Sequence, residues 1–300
     1  MIVVTGATGT LGSLVVHRLL ERVPPHKLGV SVRGVESAAA LADAGVRVRA
    51  GDFTRPETLL HAFEGADQVL VVSAAIRGPG ALAANNAAID AARAVGVERI
   101  LYTSHQAASR SALFPPHRVH AETEQHLAGT GLPHTALRNG FYASTLAVNI
   151  GDAIDTGVIA APADGPVSWT AHVDLAEAAA VALTQEHAPG SPLDGATPPL
   201  TAPELLDLEQ VASILSDITG RSIRRVVVDD EEWKAAAVAR GLPPMVADFS
   251  LGMCLAARAG EYAVSDPTLE SLLGRPATPA RATLEGIVAA ASRPAAGLGD

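Results

Sequence analysis

Three glycines in TGATGTLGS, at Gly6, Gly9 and Gly12, punctuate the passage from the β-branched run IVVT into the helix-spaced segment LGSLVVHRLL. Glycine permits a tight strand-to-helix turn, the missing side chain at Gly9 lets backbone approach a pyrophosphate, and Gly12 allows close packing of the helix. A helix N-terminus offers unpaired N–H groups and a partial positive charge to phosphates. The loop Gly6, Ala7, Thr8, Gly9, Thr10, Leu11, Gly12 is therefore expected to hold a dinucleotide.

Other residues sit where such a ligand would reach. Arg33 ends the second β-branched run, LGVSVR, where a basic side chain accommodates a ribose 2′-phosphate and an acidic one a 2′-hydroxyl. That position predicts NADPH, with nearby Glu36 as the alternative that would favour NADH. Ser73, Ala74 and Ala75 close the fourth run with small side chains, leaving room for ribose and diphosphate. Asn139, Gly140, Phe141 and Tyr142 follow the sixth run, at the carboxyl end of a sheet where open α/β folds bind ligands. With only 3% aromatic residues in the chain, two adjacent aromatics there are informative, and Phe141 or Tyr142 is expected to wall a nicotinamide and substrate cavity. His117, His120 and Glu124 share one helical face in HRVHAETEQHL. This spacing lacks the metalloprotease Glu and a clear third ligand, so no metal is expected. No tyrosine is followed four residues later by lysine: Tyr102 is followed by Gln106, Tyr142 by Leu146 and Tyr262 by Asp266. The Tyr/Lys proton-transfer pair of ordinary short-chain dehydrogenases is thus missing, which disfavours simple alcohol and ketone chemistry.

The elements that must position these residues alternate. Strands are expected at 2–5, 28–33, 46–50, 68–73, 99–104 and 134–138, with helical patterns between them, several stopped by Gly. That is the βαβ order of a doubly wound parallel Rossmann sheet, an α/β fold. Residues 1–150 read as the nucleotide-binding domain, with a returning segment near 165–187. Residues 151–300 read as a smaller α+β substrate lobe, with a helix in TAPELLDLEQVASILSDITG, a strand in SIRRVVVD and a helix in DEEWKAAAVARG. The tail RPAAGLGD is expected to fray.

Composition bounds the partners. Of 300 residues, 48% are hydrophobic and 18% charged, enough for a large core. The net charge of −10 argues against nucleic acid. The alanine-rich runs are broken by Asn, Asp and Arg before they span a bilayer, so no membrane segment is expected. The single cysteine, Cys254, and the direct start at Met1 read as cytoplasmic.

TGATGTLGS resembles the N-terminal signature of the atypical short-chain dehydrogenases. GDF at 51–53, YTS at 102–104, HAETEQHL at 120–127, LRNGFY at 137–142 and HVDLAEAAA at 172–180 are similar to its NmrA-like group. Within that group they resemble the branch of NAD(P)H:quinone oxidoreductase type 2 and triphenylmethane reductase, as do DITGRSIRRVVVDDEEW and LLGRPATP. The resemblance implies that Asp52 and Phe53 flank an adenine and that Thr103 joins the cofactor contacts. It also implies that His172 approaches the cofactor and that His120, in the helix where other dehydrogenases carry lysine, faces the nicotinamide ribose or donates a proton. His120 and Tyr142 are the expected catalytic pair. The expected function is an NADPH-dependent, flavin-free oxidoreductase passing hydride to a quinone or similar conjugated small molecule, in a chain that can form a homodimer. The alternatives are a non-catalytic NADP(H)-sensing regulator and a pathway-specific reductase of a secondary metabolite.

Overall fold

The structure is a computed structural model that describes residues 1–76, 78 and 80–292. The RPAAGLGD tail lies outside the described residues. Strand β1 (Ile2–Thr5) leads into α1 (Thr10–Leu20), followed by β2 (Leu28–Val32), α2 (Ala39–Asp43), β3 (Arg47–Ala50), α3 (Glu57–Phe63), β4 (Gln68–Val71), α4 (Gly80–Ala94), β5 (Arg99–His105), α5 (Pro115–Gly129) and β6 (His134–Asn139). Next come α6 (Leu146–Ile150), α7 (Ala153–Thr156), β7 (Val158–Ala161), α8 (His172–Thr184), β8 (Gly195–Ala196), α9 (Leu208–Thr219) and β9 (Arg224–Val227). Helices α10 (Asp230–Ala239), α11 (Pro244–Arg258), α12 (Thr268–Leu273) and α13 (Ala280–Ala291) complete the described chain.

Two compact units emerge. The first comprises 1–139, 172–200 and 266–276. Its sheet has the order β3-β2-β1-β4-β5-β6-β8 with every neighbour parallel. All of β1 and β2 is buried, which is why neither IVVT nor LGVSV carries a charged residue: a parallel sheet is covered on both faces. Val3, Val69, Val71, Ile100 and Tyr102 pack with Leu59 and Phe63 of α3, Ile89 of α4 and Leu127 of α5. Helix α1 packs on α8, where the guanidinium groups of Arg18 and Arg22 pair with Glu177. The strand order reverses between β1 and β4, and the crevice beyond the carboxyl ends at such a switch is where doubly wound sheets bind ligands.

Among the described residues the second unit comprises 140–171, 201–265 and 277–292 and carries the parallel pair β7–β9. The helix expected from about residue 200 begins at Leu208, because Asp207 accepts from the Gln210 N–H at 2.8 Å while the Gln210 side chain accepts from the Asp207 N–H at 3.0 Å. This capping box fixes the first turn, and Gly220 (φ 66°) ends the helix in the left-handed region. Among the described residues no helix is long and apolar enough to cross a membrane.

Candidate functional site

At the end of β1 the chain turns on Gly6, whose φ of 60° is a left-handed conformation that side chains disfavour. Its N–H donates to the Ser31 carbonyl at 3.2 Å, and the Gly9 N–H returns to the Gly6 carbonyl at 2.9 Å. A Cβ on Gly12 would lie 2.2 Å from that carbonyl oxygen, so the turn lies on the helix only because Gly12 is bare. Gly9 is the N-cap of α1. No side chain caps the helix and no acid occupies its first turn. Ala7 and Leu11 are buried, leaving backbone as their means of contact, while Thr8, Gly9 and Thr10 are exposed. An uncapped, acid-free helix start beside a bare-backbone turn fits the diphosphate of a dinucleotide.

The neighbouring strand ends are tied down by hydroxyls. Thr5 Oγ1 accepts the Val72 N–H at 2.8 Å, and Thr103 Oγ1 accepts the Ser73 N–H at 2.8 Å while lying 3.2 Å from Ser73 Oγ. Thr103 is buried and thus holds the end of β4 in place. Ala74 is half-buried and Ala75 exposed. Arg33 stands exposed just past β2, with no ion pair among the described residues, and Glu36 is exposed in the turn that follows. The Asp52 carboxylate closes its own turn: Oδ1 accepts the Thr54 N–H and hydroxyl at 2.9 and 2.7 Å, bonds that hold its pKa below the usual range. Phe53 packs half-buried against the core of the unit.

Deeper along the switch, a hydrogen-bonded chain runs from backbone to imidazole. The Ala74 N–H donates to Asn85 Oδ1 at 2.9 Å, Asn85 Nδ2 lies 3.2 Å from the Tyr102 hydroxyl, and that hydroxyl lies 2.8 Å from His120 Nδ1. Asn85 and Tyr102 are buried. Burial, and secondarily His117, lowers the His120 pKa to about 3, so this half-buried imidazole is neutral at ordinary pH. His105 stacks on His117 with ring centroids 4.4 Å apart, accepts the Ala107 N–H on Nδ1, and is also held neutral, chiefly by burial. Glu124 takes Nε and an Nη of Arg138 at 2.9 and 2.7 Å and the Ser104 hydroxyl at 2.6 Å, bracing α5 against β5 and β6. Its carboxylate is thereby committed to structure. Among the described residues no group of three His, Cys, Asp or Glu side chains is arranged to hold a metal ion.

Asn139 ends β6, almost fully buried, and its Oδ1 has no hydrogen-bond partner among the described residues. His172 starts α8, half-buried, with its pKa lowered by burial. Gly140, Phe141 and Tyr142 belong to the second unit. There the Phe141 ring meets Trp169 edge-on at 5.4 Å and Tyr262 at 4.6 Å, lining a cavity of about 30 Å³. Tyr142 is half-buried and pairs by backbone with Thr170.

The NmrA-like family model matches residues 1–256. The chain belongs to that family. It is 33% identical to quinone oxidoreductase 2 of Escherichia coli over 279 residues, covering 93% of this chain and 95% of the relative. It is 32% identical to the NAD(P)H azoreductase of Xenophilus azovorans, over 92% of this chain and 94% of that one. The Citrobacter triphenylmethane reductase complexed with NADP(H) superposes with a TM-score of 0.86 at 33% identity, covering 96% of this chain and all of the other.

Within this NmrA-like chain, sequence reasoning singled out His120 but missed Asn85 and the hydroxyl of Tyr102. The signal for Asn85 was present: a polar residue at a core-facing position of the alanine-rich helix GALAANNAAIDAARA requires partners.

Proposed function

We propose that this chain is an NADPH-dependent oxidoreductase that passes hydride to a quinone or a similarly conjugated electrophile. The observation that carries the reading is the glycine turn and uncapped start of α1 at the sheet's switch point, in a chain related along its length to reductases named for such acceptors. When bound, NADPH supplies the hydride. The backbone from Gly6 to Gly12 would hold the diphosphate, and Arg33 the 2′-phosphate. Asn139 Oδ1 offers a buried acceptor to a cofactor N–H or O–H. Asp52, Phe53, Ser73, Ala74, Ala75 and His172 would complete the cofactor's surroundings.

His120, neutral, serves as a hydrogen-bond donor that orients, and water supplies the proton that a quinone needs after hydride addition. Tyr142 is the proposed substrate-side residue, tested by Tyr142→Phe. The enzyme is further proposed to work in the cytoplasm as a homodimer, which sedimentation of the purified chain checks. Flavin-free protein mixed with NADPH and a panel of quinones, dyes and enones should consume NADPH. Tight NADPH binding without turnover, joined to NADPH-dependent capture of a protein partner, would establish the sensor instead.

A further inference from the structure

We propose that Asn85 and Tyr102 are positioning residues that fix His120 as its Nε2-protonated tautomer, with the direction of every hydrogen bond set by the backbone N–H of Ala74. The sense of the chain follows from what each partner can donate. A main-chain amide donates and cannot accept, so the Asn85 oxygen faces Ala74 at 2.9 Å and the Asn85 NH₂ is turned toward Tyr102 at 3.2 Å. An amide NH₂ also only donates, so the Tyr102 oxygen receives that bond and its hydrogen is directed to His120 Nδ1, 2.8 Å away. Nδ1 therefore accepts, and the proton of the neutral ring resides on Nε2.

Each member is well placed to enforce this. Asn85 is 2% exposed and Tyr102 is fully buried, so water does not compete for the two intermediate bonds. The helix that carries His120 is held as well, since Glu124, four residues on, is clamped by Arg138 and Ser104. Ala74 lies in the segment after β4 that the functional reading gives to the cofactor, so a shift of that segment acts on the same chain of bonds. The use of the Nε2–H in turnover rests on the oxidoreductase reading; the tautomer itself does not.

A near-isosteric exchange reverses the arrow. In Asn85→Asp the ionised carboxylate accepts both from Ala74 and from the Tyr102 O–H. The Tyr102 oxygen must then accept from His120, which moves the ring proton to Nδ1 and leaves Nε2 bare. Nitrogen-15 NMR of imidazole-labelled full-length protein reads the two tautomers directly. Nε2 protonation is expected in the wild type, Nδ1 protonation in Asn85→Asp, and a mixture in Tyr102→Phe, which keeps the ring volume and serves if the aspartate variant does not fold.

Turnover adds a second readout: kcat should fall on the order of tenfold in either variant with KM for NADPH unchanged. Nδ1 protonation or mixed tautomers in the wild type would overturn the proposal, as would Nε2 protonation that persists in both variants. Tautomers that move as expected with kcat unmoved would overturn the role in turnover. A wild type that oxidises no NADPH sinks the oxidoreductase reading and leaves the NMR result to decide the tautomer.

Discussion

Gly12 lies so close to Gly6 that a Cβ on the former would stand 2.2 Å from the carbonyl oxygen of the latter. Backbone meets backbone here, so no side chain can yield. Gly12→Ala must open the turn, at a cost of about 1–3 kcal/mol shared between stability and ligand binding. The Kd for NADPH, measured by fluorescence titration, is expected to rise about tenfold to a hundredfold. Gly9, where a Cβ would stand 3.3 Å from the same oxygen, should tolerate alanine better.

Arg33 is exposed and without an ion pair among the described residues, so its guanidinium is available to a 2′-phosphate. Charge-assisted, bidentate bonds partly screened by solvent should favour NADPH over NADH by about 10- to 150-fold. Arg33→Ala is expected to erase that preference, which titration of both cofactors into both proteins reveals. Equal affinities in the wild type would transfer the choice to another residue.

His120 separates two kinds of chemistry. A general acid would lose about 10²- to 10⁴-fold in kcat on truncation, whereas a neutral hydrogen-bond donor should lose about tenfold. His120→Ala should fall in the smaller class, and His120→Gln, which retains an NH₂ donor, should recover part of the loss. Because the ring titrates near about 3, the wild-type kcat profile should show no limb from His120 at neutral pH. A limb near the ordinary histidine pKa that disappears in His120→Gln would restore the acid.

Much of the first unit was legible in the sequence because its physics is local. The strands at the centre of the sheet are mostly buried and read as apolar runs, and the start of α1 at Thr10 follows from Gly9 as N-cap. Strand β8, two residues long, and helix α11, whose PMVADFSLGMCLAAR mixes Gly, Ser and Asp with apolar residues, carry too little periodicity to announce themselves. The glycine loop was legible for the same local reason. The Asn85, Tyr102 and His120 chain was not, because it joins α4, β5 and α5 across positions 17 and 18 residues apart, and only the sheet order brings them together. The hydrogen bonding of the Thr103 hydroxyl with Ser73 was not legible either, because only the β4–β5 register creates that pairing.

The histidines of β5 and α5 also predict acid sensitivity. The folded His120 titrates near about 3 and His105 is lowered as well, while the unfolded chain takes up protons at the ordinary value of 6.5. The unfolded state thus binds more protons between these values, so the stability that the neutral rings provide is complete above about pH 6.5 and is lost as pH falls. At about pH 5, His120 alone should account for a loss of about 1–2 kcal/mol, and His105 for a further loss. Urea titrations across this range should show the decline, and His105→Phe should flatten it. A decline identical in wild type and variant would assign the sensitivity elsewhere.

Direct hydride transfer is tested most directly by single-turnover mixing of flavin-free protein and a quinone with NADPH carrying either hydrogen or deuterium at the transferring nicotinamide position. Oxidation is expected with both forms, and measurably more slowly with the deuterated one. A protein that binds NADPH tightly yet oxidises neither form with any quinone, dye or enone would contradict it.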